Sequence, residues 1–267
     1  MKYGFIGVGN MAGAILEGIL RSGVTEPSAV YAYDVNESRL TEVAGAQGFT
    51  ALSSAVDVAS AADTIILGVK PHMLESVISA IRDTIRERKP MPLVISIAAG
   101  KTLSFLEGAF GFAPPLIRVM PNINALVGEG MAAICQNSAA TSQDFETALQ
   151  IFASVGQAVA LPESSFSTFV GLAGSSPAYV YLFIDAMAHA GVKAGLDKAT
   201  ATRLAAQAVL GSAKTVLESG RHPWELADMV CSPGGTTIEG VSSLLHNRFE
   251  AVVMDAVEAA ILKDKQL

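Results

Sequence analysis

A parallel α/β sheet covered by helices on both faces, followed by an all-α half, is the fold that this sequence predicts, and three observations carry the prediction. Short apolar, β-branched runs at residues 3–8, 30–34, 64–69, 93–97 and 116–120 alternate with helical patterns, the signature of βαβ units. None of these runs shows period-2 polarity, as strands buried on both sides require. After Leu161-Pro162-Glu163 the texture changes, and from Pro177 onward the chain reads as long alanine-rich helices with no convincing strand. The expected division is therefore residues 1–163 and 164–267.

The first strand runs into Gly7-Val8-Gly9-Asn10-Met11-Ala12, a G-x-G-x-x-A that opens a helical pattern beginning with Ala14, Ile15 and Ile19. Gly7 permits the tight turn, Gly9 lets the backbone approach a pyrophosphate, and Ala12 lets helix and strand pack closely. Free amides at the helix N-terminus then receive phosphate charge. The first domain is thus expected to be a Rossmann-type, mostly parallel, doubly wound dinucleotide binder.

Asp34 ends the second predicted strand, where a carboxylate can hydrogen-bond an adenosine ribose and repel a 2′-phosphate. That tilts the choice toward NAD(H) over NADP(H). The alternative is that Asp34 caps the helix containing residues 37–43. Arg39 reads as a solvated helix residue, with rescue of a phosphate as its other role. The fourth strand ends in Leu67-Gly68-Val69-Lys70-Pro71-His72, which brings Val69, Lys70 and Pro71 to the ligand crevice at the carboxyl ends of the strands. A solvated lysine before a helix-starting proline is the bland reading of the same residues. The fifth strand ends in Ser96-Ile97-Ala98-Ala99-Gly100, and Ser96, Ala98 and Ala99 are small enough to lie under a flat nicotinamide.

In the helical half, Arg203, Gln207, Lys214 and Glu218 fall within about 60° of one another on one helix. Asp185, His189 and Lys193 occupy a strip of roughly 80° on the helix before it. The rest of both circumferences is apolar or small, so a partner chain is expected to supply cover. The segment Ser232-Pro233-Gly234-Gly235-Thr236-Thr237 lies between two helical patterns and offers backbone amides and hydroxyls to an anion. A plain N-cap turn is its alternative.

Composition excludes several classes. The chain is 51% hydrophobic and 16% charged, too apolar for disorder. Net charge is −7, and both halves are acidic, with 10 basic against 15 acidic residues up to Glu163 and 8 against 10 beyond it. The basic cluster of Arg82, Arg86, Arg88 and Lys89 is interleaved with Asp83 and Glu87, as at the solvated end of a helix, so no nucleic-acid partner is expected. The uncharged run from residue 164 to 184 holds five serines, two glycines and Pro177, and no membrane segment is expected. Two cysteines, Cys135 and Cys231, suit a reducing, cytoplasmic setting. His72, His189, His222 and His246 lack metal spacing and read as surface or capping residues, so no metal is expected.

The glycine turn, Val69-Lys70-Pro71, Arg118-Val119-Met120-Pro121-Asn122, the run from Gly171 to Tyr179 and the loop from Ser232 to Thr237 together resemble the pyrroline-5-carboxylate reductase family across essentially the whole chain. The resemblance implies reduction of 1-pyrroline-5-carboxylate to L-proline with NADPH or NADH, the last step of proline biosynthesis. It also implies a C-terminal domain that interleaves with a second subunit in a homodimer or higher oligomer. Matched residue by residue, Thr237 corresponds to the threonine that hydrogen-bonds the substrate ring nitrogen and acts in catalysis. Ser232, Gly234, Gly235 and Thr236 correspond to the carboxylate-binding loop. The chain departs from the family pattern at Met229, at Leu245 and at Ser54-Ala55, where some members carry a cofactor-contacting asparagine. Asp34 is unlike the small or basic residue of a strict NADPH enzyme. A related β-hydroxyacid dehydrogenase reading requires a lysine where this chain has Val180, and a non-catalytic dinucleotide sensor would not need an intact loop at residues 232–237.

Overall fold

In the computed structural model, which describes residues 1–266, the chain forms two compact units, one built on Met1–Gly174 and the other on Ser175–Leu262. The first unit alternates β1 (Tyr3–Ile6), α1 (Asn10–Arg21), β2 (Val30–Tyr33), α2 (Glu37–Gln47), β3 (Thr50–Ala51), α3 (Ala55–Ala61), β4 (Thr64–Leu67), α4 (Leu74–Glu87), β5 (Leu93–Ser96), α5 (Leu103–Phe110) and β6 (Leu116–Met120). It continues through β7 (Gly130–Gln136), α6 (Ser142–Ala153), β8 (Gly156–Ala160) and the short helix α7 (Phe166–Phe169). The eight strands form one sheet in the order β3-β2-β1-β4-β5-β6-β7-β8. All neighbours are parallel except β6 and β7. This is the Rossmann-type, mostly parallel, doubly wound sheet expected from the sequence.

Both faces of the sheet are covered, which explains the unbroken apolar runs. Phe5, Ile66 and Ile95 meet Ile15, Leu16 and Ile19 of α1 and Phe152 of α6 on one side. Their strand neighbours Ile6, Ile65 and Val94 meet Ile78 and Ile81 of α4 and Phe110 of α5 on the other. Four of the five predicted strands end one or two residues earlier than their apolar texture, because Gly7, Asp34, Gly68 and Ile97 already belong to the loops that turn away from the sheet.

The Arg118 to Asn122 segment ties this unit together. Arg118 is buried, pairs with Glu163 at 2.9 Å and lies 4.4 Å from the centre of the Phe166 ring. Glu163 also accepts the Leu103 amide at 2.7 Å, closing the N-terminus of α5. The Asn122 side chain donates to the Ala173 carbonyl and accepts the Met131 amide, anchoring a π-helical turn over Val170–Gly174. Cys135 lies beside this pair, and burial, assisted by the Glu163 charge, pushes its thiol up to about 12. Arg88, expected to be solvated, instead reaches back to the carbonyls of Ala59 and Ala62 and pairs with Asp63 at 3.4 Å.

The second unit contains no strand. It comprises α8 (Ser176–Lys193), α9 (Lys198–Ser219), α10 (Pro223–Val230), α11 (Thr236–His246) and most of α12 (Phe249–Asp264). Helices α8 and α9 pack together, with Ala188, Ala201 and Ala205 buried. Leu182, Leu204, Leu210 and Leu217 stand more than half exposed. The helical run Glu163–Lys193 is long and apolar enough to cross a membrane by length and composition.

Candidate active site

Strand order reverses at β1, which has β2 on one side and β4 on the other, and ligand crevices of open α/β sheets form at the carboxyl ends of strands at such a point. Two cavities open there, of about 210 Å³ and 530 Å³, sharing Gly9, Gly68, Val69 and Lys70 in their walls. Gly7, at φ +92, takes a conformation that L side chains avoid, and a Cβ on it would stand 2.9 Å from the Gly68 backbone. A Cβ on Gly68 would in turn meet that of Ala12 at 2.6 Å, so small residues are needed at all three positions for helix and strand to touch. Gly9 differs. Nothing lies within 4 Å of a Cβ built on it, so the space above Gly9 is free within the protein. No side chain caps α1, whose first amides remain free. This cradle fits a pyrophosphate.

The smaller cavity is walled by Gly7, Tyr33, Asp34 and Val35, the larger by Asn10, Met11, Arg39, Pro71, Ala98 and Ala99. Val8 is fully buried and contributes through its backbone: its amide donates to Asp34 Oδ2 at 2.7 Å and its carbonyl accepts Arg39 Nε at 2.9 Å. Arg39 also donates to Asn10 Oδ1 at 3.1 Å, so it braces the glycine turn where solvation was expected. Asp34 is not the cap of α2; that role belongs to Asn36, whose side chain accepts the Arg39 amide. Lys70 is exposed at the mouth of both cavities. Ser96, expected on the wall, lies off it, buried with its hydroxyl 3.4 Å from the Ala98 amide, and Ile97, which the sequence did not single out, stands on the wall instead. Sequence reasoning also missed Ile123 on this wall. Its position after β6 carries no glycine or charge to signal it.

In the second unit the loop after α10 makes a tight turn. The Gly235 amide donates to the Ser232 carbonyl at 3.0 Å, and Gly234 sits at φ +65. A Cβ on Gly235 would strike the Ser232 hydroxyl. Helix α11 starts at Thr236 without a side-chain cap, which leaves its first amides free beside the Ser232 and Thr237 hydroxyls. Met229 stands exposed with its sulfur 3.0 Å from Arg221 Nη1. Tyr179 points its hydroxyl toward the Ala256 carbonyl at 3.5 Å. His222 caps α10 and His189 pairs with Asp185, while no group of metal-ligating side chains occurs among the described residues.

Residues 163–267 match the family model for pyrroline-5-carboxylate reductase dimerisation. The pyrroline-5-carboxylate reductase of Escherichia coli is 44% identical over 266 residues, covering 100% of this chain and 98% of the relative. The chain belongs to the pyrroline-5-carboxylate reductase family. The first hundred residues also match a model described as NADP oxidoreductase, coenzyme F420-dependent, over residues 2–100, and the protein is an oxidoreductase. A pyrroline-5-carboxylate reductase structure from Coxiella burnetii superposes with a TM-score of 0.94 at 31% identity, covering 99% of this chain and 97% of that one. The Plasmodium falciparum pyrroline carboxylate reductase, solved with NADP bound, gives a TM-score of 0.87 at 33% identity and covers 100% of this chain and 97% of its own. Pyrroline-5-carboxylate reductase membership, together with Val180 at the lysine position, removes the hydroxyacid dehydrogenase reading.

Proposed function

We propose that the protein reduces 1-pyrroline-5-carboxylate to L-proline with a reduced nicotinamide dinucleotide, NADPH or NADH, as a cytoplasmic homo-oligomer that closes proline biosynthesis. The observation that carries this reading is the free space over Gly9 at the strand-order reversal, beside free helix amides and between Arg39 and Lys70. Residues 1–163 hold the dinucleotide: Gly7, Val8, Gly9, Asn10 and Met11 form the pyrophosphate turn, Asp34 meets the ribose, and Val69, Lys70 and Pro71 with Ala98 and Ala99 line the path to the nicotinamide. Residues 164–267 bind substrate and dimerise. The Ser232 hydroxyl and the amides of Gly234, Gly235 and Thr236 hold the substrate carboxylate, an anion at an uncapped helix start. Thr237 hydrogen-bonds the ring nitrogen and fixes which face of the imine is presented.

When bound, the reduced nicotinamide supplies the hydride that the imine carbon accepts. A cyclic aliphatic imine is basic enough to take up a proton from water near neutral pH, so the chain needs no strong general acid and positioning supplies most of the acceleration. The apolar surface of the second unit, including the exposed face of α8, packs against a second copy of the chain. No nucleic acid, membrane or metal enters this reading. The test is oxidation of NADH and of NADPH by the purified protein with and without the cyclic imine, with proline quantified as product. Oxidation that depends on the imine and yields proline is expected; its absence with both coenzymes would overturn the assignment.

A further inference from the structure

We propose that Asp34 makes this chain selective for the dinucleotide whose adenosine ribose carries free hydroxyls, NADH over NADPH. The inference rests on the dinucleotide reading above and adds a choice that reading leaves open. Asp34 follows β2 and lines the smaller cavity. Its carboxylate is fixed: Oδ2 accepts the buried Val8 amide at 2.7 Å and Oδ1 accepts the Asn36 amide at 2.9 Å. To swing aside for a 2′-phosphate it would have to abandon both donors, one of them with no route to water. Yet the two bonds use only half of its acceptor sites, since a carboxylate offers about four lone-pair directions. The remaining two suit a pair of adjacent ribose hydroxyls.

Neither cation nearby is hydrogen-bonded to that carboxylate, whose two contacts are both backbone amides. Arg39 lines the larger cavity and not the one that holds Asp34. Two of its five N–H donors go to the Val8 carbonyl and the Asn10 side chain, which turns it toward the pyrophosphate side of the glycine turn. Lys70 follows β4, and β1 lies between β4 and β2. Two strand spacings, roughly 9–10 Å, therefore separate the ends of those strands. A 2′-phosphate in the smaller cavity would meet a fixed carboxylate, while Lys70, the cation on that cavity's wall, starts from the far side of β1 and is exposed.

Calorimetric titration of the full chain with ADP-ribose and with 2′-phospho-ADP-ribose tests this without turnover. The phosphorylated ligand is expected to bind at least ~10-fold more weakly, a factor equivalent to about 1.4 kcal/mol, and the gap should narrow as salt rises. Asp34→Asn keeps one carbonyl acceptor and removes the charge, while Asp34→Ser removes the charge and shortens the side chain so that its single oxygen no longer reaches both amides and the ribose. Each should shrink the gap by ~10-fold and weaken ADP-ribose itself, with circular dichroism confirming the fold. The wild-type comparison stands even if either variant fails to fold. Equal or tighter binding of 2′-phospho-ADP-ribose by the wild type would overturn the proposal. Binding of neither compound would overturn the dinucleotide reading, and the selectivity with it.

Discussion

At Gly9 a side chain would strike nothing in the protein, whereas at Gly7 it would collide with the Gly68 backbone. The fold therefore requires glycine at position 7, while at position 9, in the wall of both cavities, it leaves room for a larger residue. Gly9→Val is expected to retain the wild-type circular dichroism spectrum and lose both coenzymes, read as at least ~100-fold weaker dinucleotide binding on the scale of a few kcal/mol. Thr237→Ala should behave in the opposite way, with coenzyme affinity retained and kcat lowered by ~10²-fold, the usual loss for one hydrogen-bonding group at the reacting centre. Steady-state kinetics with the cyclic imine, paired with coenzyme titration, distinguishes the two. The glycines were legible in the sequence because their spacing has a mechanical meaning. Asp34 was legible as a carboxylate at the end of β2, but the contact that fixes it and the bracing by Arg39 were not, because both go to the backbone of Val8. Contacts between segments 26 and 31 residues apart leave no local pattern to read.

Elements were readable in proportion to their burial. The strands β1, β2, β4, β5 and β6 announce themselves as continuous apolar runs because each is covered on both sides. Strand β3 is two exposed residues, and β8, Gly156–Ala160, is a half-exposed edge, and each holds a single β-branched residue, Thr50 and Val159, too little to stand out as a strand. Strand β7 reads Gly-Met-Ala-Ala-Ile-Cys-Gln and gains its place from pairing with β6 and β8. The join between β6, α5 and the chain after β8 depends on the Arg118 and Glu163 pair. Glu163→Ala would leave a buried guanidinium without its anion and the Leu103 amide without its acceptor, a loss of about 3 kcal/mol. Urea unfolding at fixed protein concentration should report it as a lower midpoint with an unchanged slope. An unchanged midpoint would assign that join to packing alone.

For the whole molecule the exposed surface of the second unit decides behaviour. The polar strip of Arg203, Gln207, Lys214 and Glu218 leaves about 300° of α9 apolar or small, and Phe183, Met187, Val209 and Val216 line a groove between α8 and α9. Val209→Glu is expected to give aggregated or unfolded chain, since an obligate interface that cannot form leaves its apolar surface in water. Light scattering at micromolar concentration reads this directly, and a stable, active monomer of 27.7 kDa in the wild type would refute it. The same scarcity of buried side chains in α8 and α9 also imposes an order of events during synthesis. All eight strands find their hydrogen-bonding neighbours within one polypeptide, so the sheet is completed as soon as β8 has been made. The helical half has only Pro177, Ala188, Ala201 and Ala205 buried on its two longest helices, so its cover is expected to come from an encounter with a second chain. Activity should therefore emerge after translation with a lag that is second order in chain, long in dilute extracts and short in concentrated ones.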